Sequence, residues 1–119
     1  MKENMKSASA NNKIIRELIE CTFACEICYS ASLQEGDVSM MSLCIELNRD
    51  CSEICMLGAK LLQRDSEISP SFLVLCEEVC RKCAEECHKH AHDHCKACAE
   101  ACDRCAEVCH EHHENLAIK

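Results

Sequence analysis

The sequence has few of the residues that interrupt helices or turn corners between strands. Its 119 residues include only Gly36, Gly58 and Pro70 of these types. A fold with many strands needs turn residues at every corner, so a sheet-rich fold is disfavoured. Aromatic side chains are also scarce, with two Phe, one Tyr and no Trp. No apolar run approaches 18 residues, so no membrane-spanning segment is predicted.

Positive charge is scarce as well. Lys and Arg together number 13 against 21 Asp and Glu, which gives a formal net charge of −8. Nucleic-acid binding needs a cationic surface, so no nucleic-acid partner is expected. The first residues are polar and lack the apolar stretch of a signal peptide, which predicts a cytoplasmic location. In that reducing compartment cysteines serve metal or redox chemistry rather than structural disulfides.

Cysteine is what the sequence has in excess, with 15 of 119 residues. Large apolar residues are few by comparison: ten Leu, eight Ile, four Val and two Phe. That content is near the lower limit for a stable hydrophobic core. The core must therefore be built partly of thiol groups. Fifteen is also an odd number, so complete disulfide pairing within one chain is impossible.

We predict an all-α fold, an antiparallel up-down-up-down four-helix bundle with a Cys-lined core. It should form one metal-binding domain over residues 12–119, after a flexible N-terminal tail at residues 1–11. The helices are expected at about residues 12–34, 37 or 39 to 63, 69–90 and 93–116.

Several residues should mark the helix ends. Gly36 is expected to end the first helix, and Asp37 or Ser39 to cap the second. Ser69, followed by Pro70, should cap the third. Asp93 should likewise cap the fourth. Gly58, inside the second helix, indicates either a close approach of two backbones or a tolerated mid-helix glycine.

The cysteines recur at helical spacing. Ten of the fourteen gaps between successive cysteines are three or four residues, one is seven, and three cross the expected helix junctions. At about 100° per residue, the four cysteines of the third helix fall within roughly 60° of arc and the five of the fourth within roughly 80°. These positions hold buried leucines in other bundles, so all four thiol stripes should face one interior. The predicted metal ligands are Cys21, Cys25, Cys28, Cys44, Cys51, Cys55, Cys76, Cys80, Cys83, Cys87, Cys95, Cys98, Cys102, Cys105 and Cys109.

Metal binding explains this pattern best. Cysteines used only as small hydrophobes would lose packing volume relative to leucine, and disulfides between i and i+4 positions would be strained. A thiolate interior is soft and suits Cu(I), Zn(II) or iron–sulfur clusters. Cu(I) fits best, as multiple ions per chain, because each ion neutralises about one thiolate.

Two alternatives stay open. The first is a zinc or cadmium thiolate buffer of the metallothionein kind, although neighbouring four-thiolate zinc sites would each carry −2 and repel one another. The second is an iron–sulfur or thiol redox protein, although iron–sulfur ligands are usually carried on loops. No nucleophile–base pair, phosphate loop or carboxylate dyad is evident, so no enzymatic activity is expected.

The repeated Cys-x-x-x-Cys and Cys-x-x-Cys motifs resemble those of the bacterial cytosolic copper storage proteins, a family of Cys-rich four-helix bundles. The resemblance covers residues 12–116 and is most specific over Cys76–Cys109, where nine cysteines occupy 34 residues. It implies high-capacity Cu(I) storage for copper homeostasis, a homotetramer, and uptake through an open end lined by His or Met. The expected partners are copper ions and a copper chaperone or small-thiol donors. The first two helices carry three cysteines each, so the expected capacity is near or below one Cu(I) per thiol.

The two ends of the predicted bundle differ in character. One end is apolar and should form a hydrophobic plug, made of Ile14, Leu18, Leu61, Leu62, Phe72, Leu73 and Leu116. The other end is polar and carries Ser30, Ser32, Met40, Met41, His88, His90, His92 and His94. His90 and His94 extend the third thiol stripe, and Met40 and Met41 precede Cys44 by one turn. We expect these four soft or borderline ligands to carry metal at the polar end, and His113 to point inward near the plug.

The outward faces of the first two helices carry additional apolar residues. These are Ile15, Ile19 and Ile27 on the first helix and Leu43, Ile54 and Leu57 on the second. The fourth helix instead exposes charged side chains. A four-helix bundle has one core, so the extra stripes predict that the first two helices contact other subunits.

Overall fold

The computed structural model describes the backbone of residues 2–117 and the side chains of residues 11–115. This part of the chain forms an all-α bundle without a strand, as predicted. Its four helices are α1 (Lys2–Ser32), α2 (Ser42–Gln63), α3 (Ser69–Cys87) and α4 (Asp93–Ala117). A single 3₁₀ turn, Val38–Met41, precedes α2. No helix in the described region is long and apolar enough to cross a membrane.

Each helix packs against two others, so the four helices form a closed ring. Helix α1 contacts α2 and α4, and α3 contacts the same two helices. The sulfur of Cys28, late in α1, lies 3.8 Å from that of Cys95, early in α4. The sulfur of Cys44, early in α2, lies 3.7 Å from that of Cys87, the last residue of α3. Such pairs require neighbouring helices to run in opposite directions, which is the up-down order expected from the short connections.

Some predicted helix ends differ from the structure. Helix α1 begins at Lys2 rather than near Asn12 and ends at Ser32. Neither of the two glycines, both within the described region, has a positive φ, so Gly36 does not supply a left-handed helix end. Most side chains of residues 1–11 lie outside the described range, so the flexible tail expected there stays a prediction.

The predicted serine cap of α3 is wrong. Ile68 precedes the helix, Ser69 is its first residue, and Pro70 lies in the first turn. The buried Ser69 Oγ has no hydrogen-bond partner. The backbone therefore enters the helix one residue earlier than expected, and Pro70 occupies a position where its missing N–H is not needed.

The start of α2 also departs from the prediction. Asp37 precedes the 3₁₀ turn and makes no capping hydrogen bond through its side chain. Its Oδ1 instead lies 3.0 Å from Nε2 of His92, in the α3–α4 connection. The carboxylate thus joins the two connections at one end of the bundle, and α2 begins only at Ser42.

The end of α2 depends on Asp65, which adopts a left-handed conformation with φ of 53°. The backbone N–H of Ser66 donates to the carbonyl of Leu61 at 2.9 Å, and that of Asp65 donates to Leu62 at 3.1 Å. This is the hydrogen-bond pattern of a Schellman helix end, with aspartate where glycine is usual. The turn directs the chain back into α3.

Candidate metal-binding core

All fifteen cysteines lie in the core of the bundle. Each is a free thiol, and each has an exposed fraction of 0 %. The helical spacing of three and four residues produces this arrangement, because it puts every thiol of a helix on the face that points into the bundle. The four thiol stripes therefore meet in one interior, as the spacing predicts.

The sulfur atoms in the middle of the bundle form a continuous set of contacts. Sγ of Cys21 lies 3.6 Å from that of Cys102 and 3.8 Å from that of Cys51. Sγ of Cys80 lies 3.5 Å from that of Cys55 and 3.8 Å from that of Cys51. These distances are van der Waals and weak hydrogen-bond contacts, far longer than the roughly 2.05 Å bond of a disulfide. The core is therefore a column of separate thiols.

Several groups of four sulfurs could hold one metal ion each. In each group all sulfur atoms lie within 4.8 Å of one another, and each group draws from three or four helices. The groups are Cys21–Cys55–Cys80–Cys105, Cys21–Cys25–Cys51–Cys102 and Cys25–Cys83–Cys98–Cys102. Neighbouring groups share sulfurs: Cys21, Cys25 and Cys102 each belong to two of them. Sharing of this kind favours ligands that bridge two ions over isolated single-ion sites.

One end of the column is closed by apolar side chains. Five residues predicted for this plug are buried, namely Ile14, Leu18, Leu61, Leu62 and Leu73, and Phe72 is half-buried. The side chain of Leu116, also predicted here, lies outside the described range. A Cβ added at Gly58 would lie 3.0 Å from Sγ of Cys76 and 3.6 Å from Leu18 and Phe72. The close approach predicted at Gly58 is thus to a thiol rather than to a second backbone.

The opposite end of the column, which we call the mouth, is formed by Cys28, Cys95, His94 and Glu35. Nδ1 of His94 lies 3.4 Å from Sγ of Cys28 and 3.6 Å from Sγ of Cys95. Nε2 of the same ring lies 2.8 Å from Oε2 of Glu35. The three donors Cys28, His94 and Cys95 form a further group that could hold a metal ion. His94 is thus the histidine that the structure brings to the thiols at the mouth.

The electrostatics of the mouth favour a thiolate there. Thiol hydrogen bonds from Cys44 and Cys87 lower the pKa of Cys28 to about 5. Partial burial lowers the pKa of His94, but its hydrogen bonds to Cys28 and Glu35 outweigh burial, and the net direction is upward. Burial raises the pKa of Cys95. The lowered pKa of Cys28 thus favours a thiolate beside an imidazole that is held between this sulfur and a carboxylate.

The other predicted non-cysteine ligands occupy different surroundings. His90 lies beyond the end of α3, and its Nε2 is 2.9 Å from Oε2 of Glu86. Met40 is 77 % exposed, whereas Met41 is fully buried within the core cluster. His113 is half-buried, with its Nε2 facing Oε1 of Glu77 on α3.

Asn48 is a core residue that the sequence analysis missed. It is fully buried among thiols. Its Oδ1 accepts hydrogen bonds from Cys83 and Cys98 at 3.4 Å and from Cys87 at 3.6 Å. Its Nδ2 donates to Sγ of Cys44 at 3.6 Å. The signal was the gap of seven between Cys44 and Cys51, which leaves position 48 in phase with both.

The whole arrangement is suited to soft metal ions. Thiolates are the ligands preferred by Cu(I), and they also bind Zn(II) and the iron of iron–sulfur clusters. The sulfurs come from long helices that fix their positions along the bundle axis. The interior can hold several ions in a row, and at its polar end an imidazole lies beside the thiols.

The comparisons with known proteins agree with this picture. The sequence profile of the copper storage protein family matches residues 7–114. An uncharacterised cysteine-rich protein of Bacillus subtilis, YhjQ, is 44 % identical over 83 residues, which cover 70 % of this chain and 77 % of the relative.

Two solved structures extend the agreement to the fold. The Cu(I)-bound copper storage protein 3 of Bacillus subtilis has a TM-score of 0.83 at 41 % identity, covering 86 % of this chain and 96 % of that one. A cytosolic copper storage protein of Streptomyces lividans, loaded with five coppers, has a TM-score of 0.84 at 36 % identity, covering 88 % and 92 %. The chain described here belongs to the copper storage protein family.

Proposed function

We propose that this protein stores Cu(I) at high capacity, holding multiple ions per chain on the thiolates of its core. The observation that carries the proposal is the column of fifteen buried free thiols in mutual contact. The related proteins that bind copper, one of them as Cu(I), support the choice of metal. The role requires binding and release of ions and no catalytic step, so we assign the protein no enzymatic activity.

The charge of the core favours Cu(I) over the alternatives. Replacing one thiol proton by one Cu(I) leaves the charge of the interior unchanged. Zn(II) or Cd(II) bound by four thiolates leaves a charge of −2, and several such sites in one low-dielectric column would repel strongly. The sharing of Cys21, Cys25 and Cys102 between groups also suits thiolates that bridge two ions. An iron–sulfur protein would need four sulfurs around a cluster several ångströms wide, whereas these sulfurs contact one another directly at 3.5–4.0 Å.

We assign metal transfer to the mouth. Cys28, the last thiol of α1, offers a soft ligand to an incoming ion, and Nδ1 of His94 lies beside it. The hydrogen bond from Nε2 of His94 to Glu35 keeps that nitrogen protonated, which directs Nδ1 towards the metal. An imidazole is a weaker ligand for Cu(I) than a thiolate, so it can pass the ion on in either direction. Met41, buried near Cys44, is a further soft ligand at this end.

The location and partners of the protein follow from this role. We place it in the cytoplasm, where a related copper storage protein of Streptomyces lividans is found and where thiols stay reduced. Its partners are copper ions and the small thiols or copper chaperone that deliver them. We assign it no membrane or nucleic-acid partner.

We also propose that four copies of the chain assemble through the outer faces of α1 and α2. Phe23 and Ile27 on α1 are 58 % and 63 % exposed, and Leu43 and Leu57 on α2 are 49 % and 43 % exposed. Between the two helices lies a groove of about 480 Å³, lined in part by Phe23, Met56 and Leu57. An apolar face of this kind on a bundle with a complete core is suited to contact with a second copy.

A copper titration tests the storage proposal. The fully reduced protein is titrated anaerobically with Cu(I) in the presence of a competing Cu(I) chelator. We expect saturation near one Cu(I) per thiol, and a fall in capacity when Cys98, Cys102 and Cys105 are replaced by serine. Retention of only one or two ions per chain would overturn storage. A brown protein with visible absorption as isolated would support the iron–sulfur alternative, and stronger retention of Zn(II) than of Cu(I) would support the zinc buffer.

A further inference from the structure

A second cluster of metal-binding side chains lies between α3 and α4, near the apolar plug. Nε2 of His113 and Nδ1 of His110 both face Oε1 of Glu77, at 2.5 and 3.1 Å. The side chains of His113 and Glu77 are each 15 % exposed, and that of His110 is 48 % exposed. Glu77 directly follows Cys76, and His110 directly follows Cys109, so these two side chains leave the thiol faces of their helices, while His113 lies one turn beyond Cys109, the last thiol of α4, and faces Glu77 instead of pointing inward as expected. The cluster is thus separate from the storage core.

The geometry of the two rings brings their nitrogens towards one point. His110 and His113 are three residues apart on α4 and therefore share one helix face. Their ring centroids are 5.2 Å apart, and the ring planes are inclined at 76°. Because the rings are nearly perpendicular, each can direct a nitrogen at the same carboxylate oxygen without stacking on the other.

A fourth residue fixes the carboxylate from behind. Arg81 donates from Nε and Nη2 to Oε2 of Glu77, each at 2.8 Å, while His113 faces Oε1 and Nδ1 of His110 lies 3.1 Å from both carboxylate oxygens. The carboxylate is therefore held in position before any ion binds, which is how outer partners prepare a metal ligand.

These donors match a borderline divalent ion. Two imidazole nitrogens and one carboxylate oxygen are ligands that Zn(II) accepts at about 2.0–2.2 Å, with water in the fourth position of a tetrahedron. Such bond lengths place neighbouring donor atoms about 3.3 Å apart. The hydrogen-bonded donors are 2.5 and 3.1 Å apart, so side-chain rotations that open the cluster by less than about 1 Å would admit the ion. Cu(I) prefers the thiolates of the core to this set.

We propose that Glu77, His110 and His113 bind one Zn(II) ion per chain, at a site independent of the Cu(I) core. When the ion binds, each neutral imidazole carries its proton on the nitrogen that faces away from Glu77, so the two N–H hydrogen bonds to Oε1 give way to metal–ligand bonds. It thereby ties α3 to α4 at the plugged end of the bundle.

The test uses protein whose core has first been saturated with Cu(I), so that the thiols are occupied. We expect calorimetry with Zn(II) to show one ion bound per chain. The single variants His113→Gln and Glu77→Gln should each weaken binding at least tenfold. The matched control is His88→Gln, because His88 also pairs with a carboxylate of α4, Asp103 at 2.9 Å, but has no second imidazole beside it. Its affinity for Zn(II) should equal that of the unchanged protein.

A second measurement separates this site from the core. Co(II) bound to imidazole and carboxylate should give visible bands without the sulfur-to-cobalt charge-transfer band that thiolates produce. The Cu(I) capacity of His113→Gln should also be unchanged. Three results would each overturn the proposal. They are zinc binding that persists in both single variants, His113→Gln and Glu77→Gln, a cobalt spectrum that contains the thiolate band, and a loss of Cu(I) capacity in His113→Gln.

Discussion

Asn48 shows how closely one polar residue can be fitted into a thiol core. Its amide accepts from three thiols and donates to a fourth, so both ends of the side chain are satisfied despite complete burial. Thiols are weak donors, and the amide oxygen gives them a better acceptor than another sulfur does. Position 48 is in phase with Cys44 and Cys51, so the residue stands where a cysteine would complete the α2 stripe.

Replacing Asn48 with cysteine should therefore extend the storage column. We expect Asn48→Cys to raise the capacity by about one Cu(I) per chain, because the new thiol would lie among Cys44, Cys83, Cys87 and Cys98 and bridge ions bound there. The measurement is the anaerobic Cu(I) titration against a competing chelator. The control is Asp50→Cys, which adds a thiol on the exposed face of α2 and should not add an ion that resists the chelator. An equal gain in both variants would show that position 48 contributes nothing specific.

Gly58 and Cys76 form a coupled pair at the plugged end. Alanine at position 58 would gain about 1 kcal/mol in helix propensity, but its Cβ would lie 3.0 Å from Sγ of Cys76. Overpacking of this kind costs about 1–3 kcal/mol, so Gly58→Ala should destabilise the apoprotein by about 1 kcal/mol. In a Cys76→Ala background the crowding is removed, and the same change should stabilise by up to about 1 kcal/mol. Urea unfolding of the reduced apoprotein measures both values.

The control for this cycle is Gly36→Ala, because a Cβ at Gly36 would meet no atom within 4 Å. Its effect on the free energy of unfolding should be the same with and without Cys76→Ala. If Gly58→Ala has one and the same effect in both backgrounds, the contact with Cys76 is not what selects glycine at this position.

At the scale of the helices, the sequence specified the inward faces far better than the helix ends. The spacing of the cysteines placed every thiol on the correct face, because a period of 3.6 residues leaves little freedom once the thiols must be buried. Where a helix begins or ends depends on which of several weak capping interactions the backbone adopts. Ser69 could have capped α3, yet the chain enters the helix at Ser69 and leaves its hydroxyl unpaired. Asp65 took the left-handed position that a glycine usually occupies.

The mouth could be predicted only in part, for a related reason. Extending a helical stripe pointed equally to His94, which lies beside two thiols, and to His90, which pairs with Glu86. Helix α3 ends at Cys87, so the three-and-four spacing no longer fixes the direction of a side chain at position 90. The role of Glu35 could not be read from the sequence, because its contact with His94 joins residues 59 positions apart.

The outer faces of α1 and α2 give a prediction about assembly. Of the six apolar residues expected on these faces, Ile27, Leu43 and Leu57 are exposed, while Ile15, Ile19 and Ile54 pack against the core. We expect the double variant Phe23→Glu and Ile27→Glu to reduce the molar mass in solution, because like charges would replace apolar contact between copies. Light scattering after size-exclusion chromatography measures this mass. Cu(I) capacity per chain should not change, since neither side chain faces the core.

A matched control tests whether the effect is specific to this face. Val74 on α3 is 52 % exposed, so Val74→Glu makes a similar change on another side of the bundle. Its molar mass should equal that of the unchanged protein. A loss of mass in both variants, or in neither, would contradict assembly through α1 and α2.

At the scale of the whole molecule, filling the core exchanges the protons of its thiols for Cu(I) ions. The apoprotein keeps most of its thiols protonated, because burial opposes an isolated charge and raises the pKa of a thiol such as Cys95. Cu(I) then takes the place of these protons, and the interior stays nearly neutral at every stage of filling. This permits many ions in one narrow bundle that has few large apolar residues to hold it together.

Filling the core should therefore release protons and stabilise the bundle together. We expect about one proton per Cu(I) near pH 7, since the ordinary pKa of a thiol is about 8.5 and burial raises it. Uptake should weaken as the pH falls, because protons compete for the same sulfurs. The melting temperature should rise with each addition, because Cu(I) held by the folded column alone adds its binding free energy to stability. A pH-stat titration and thermal unfolding, followed on the same samples, measure both effects. Equal melting temperatures for the apo and loaded forms would mean that the copper binds outside the thiol column.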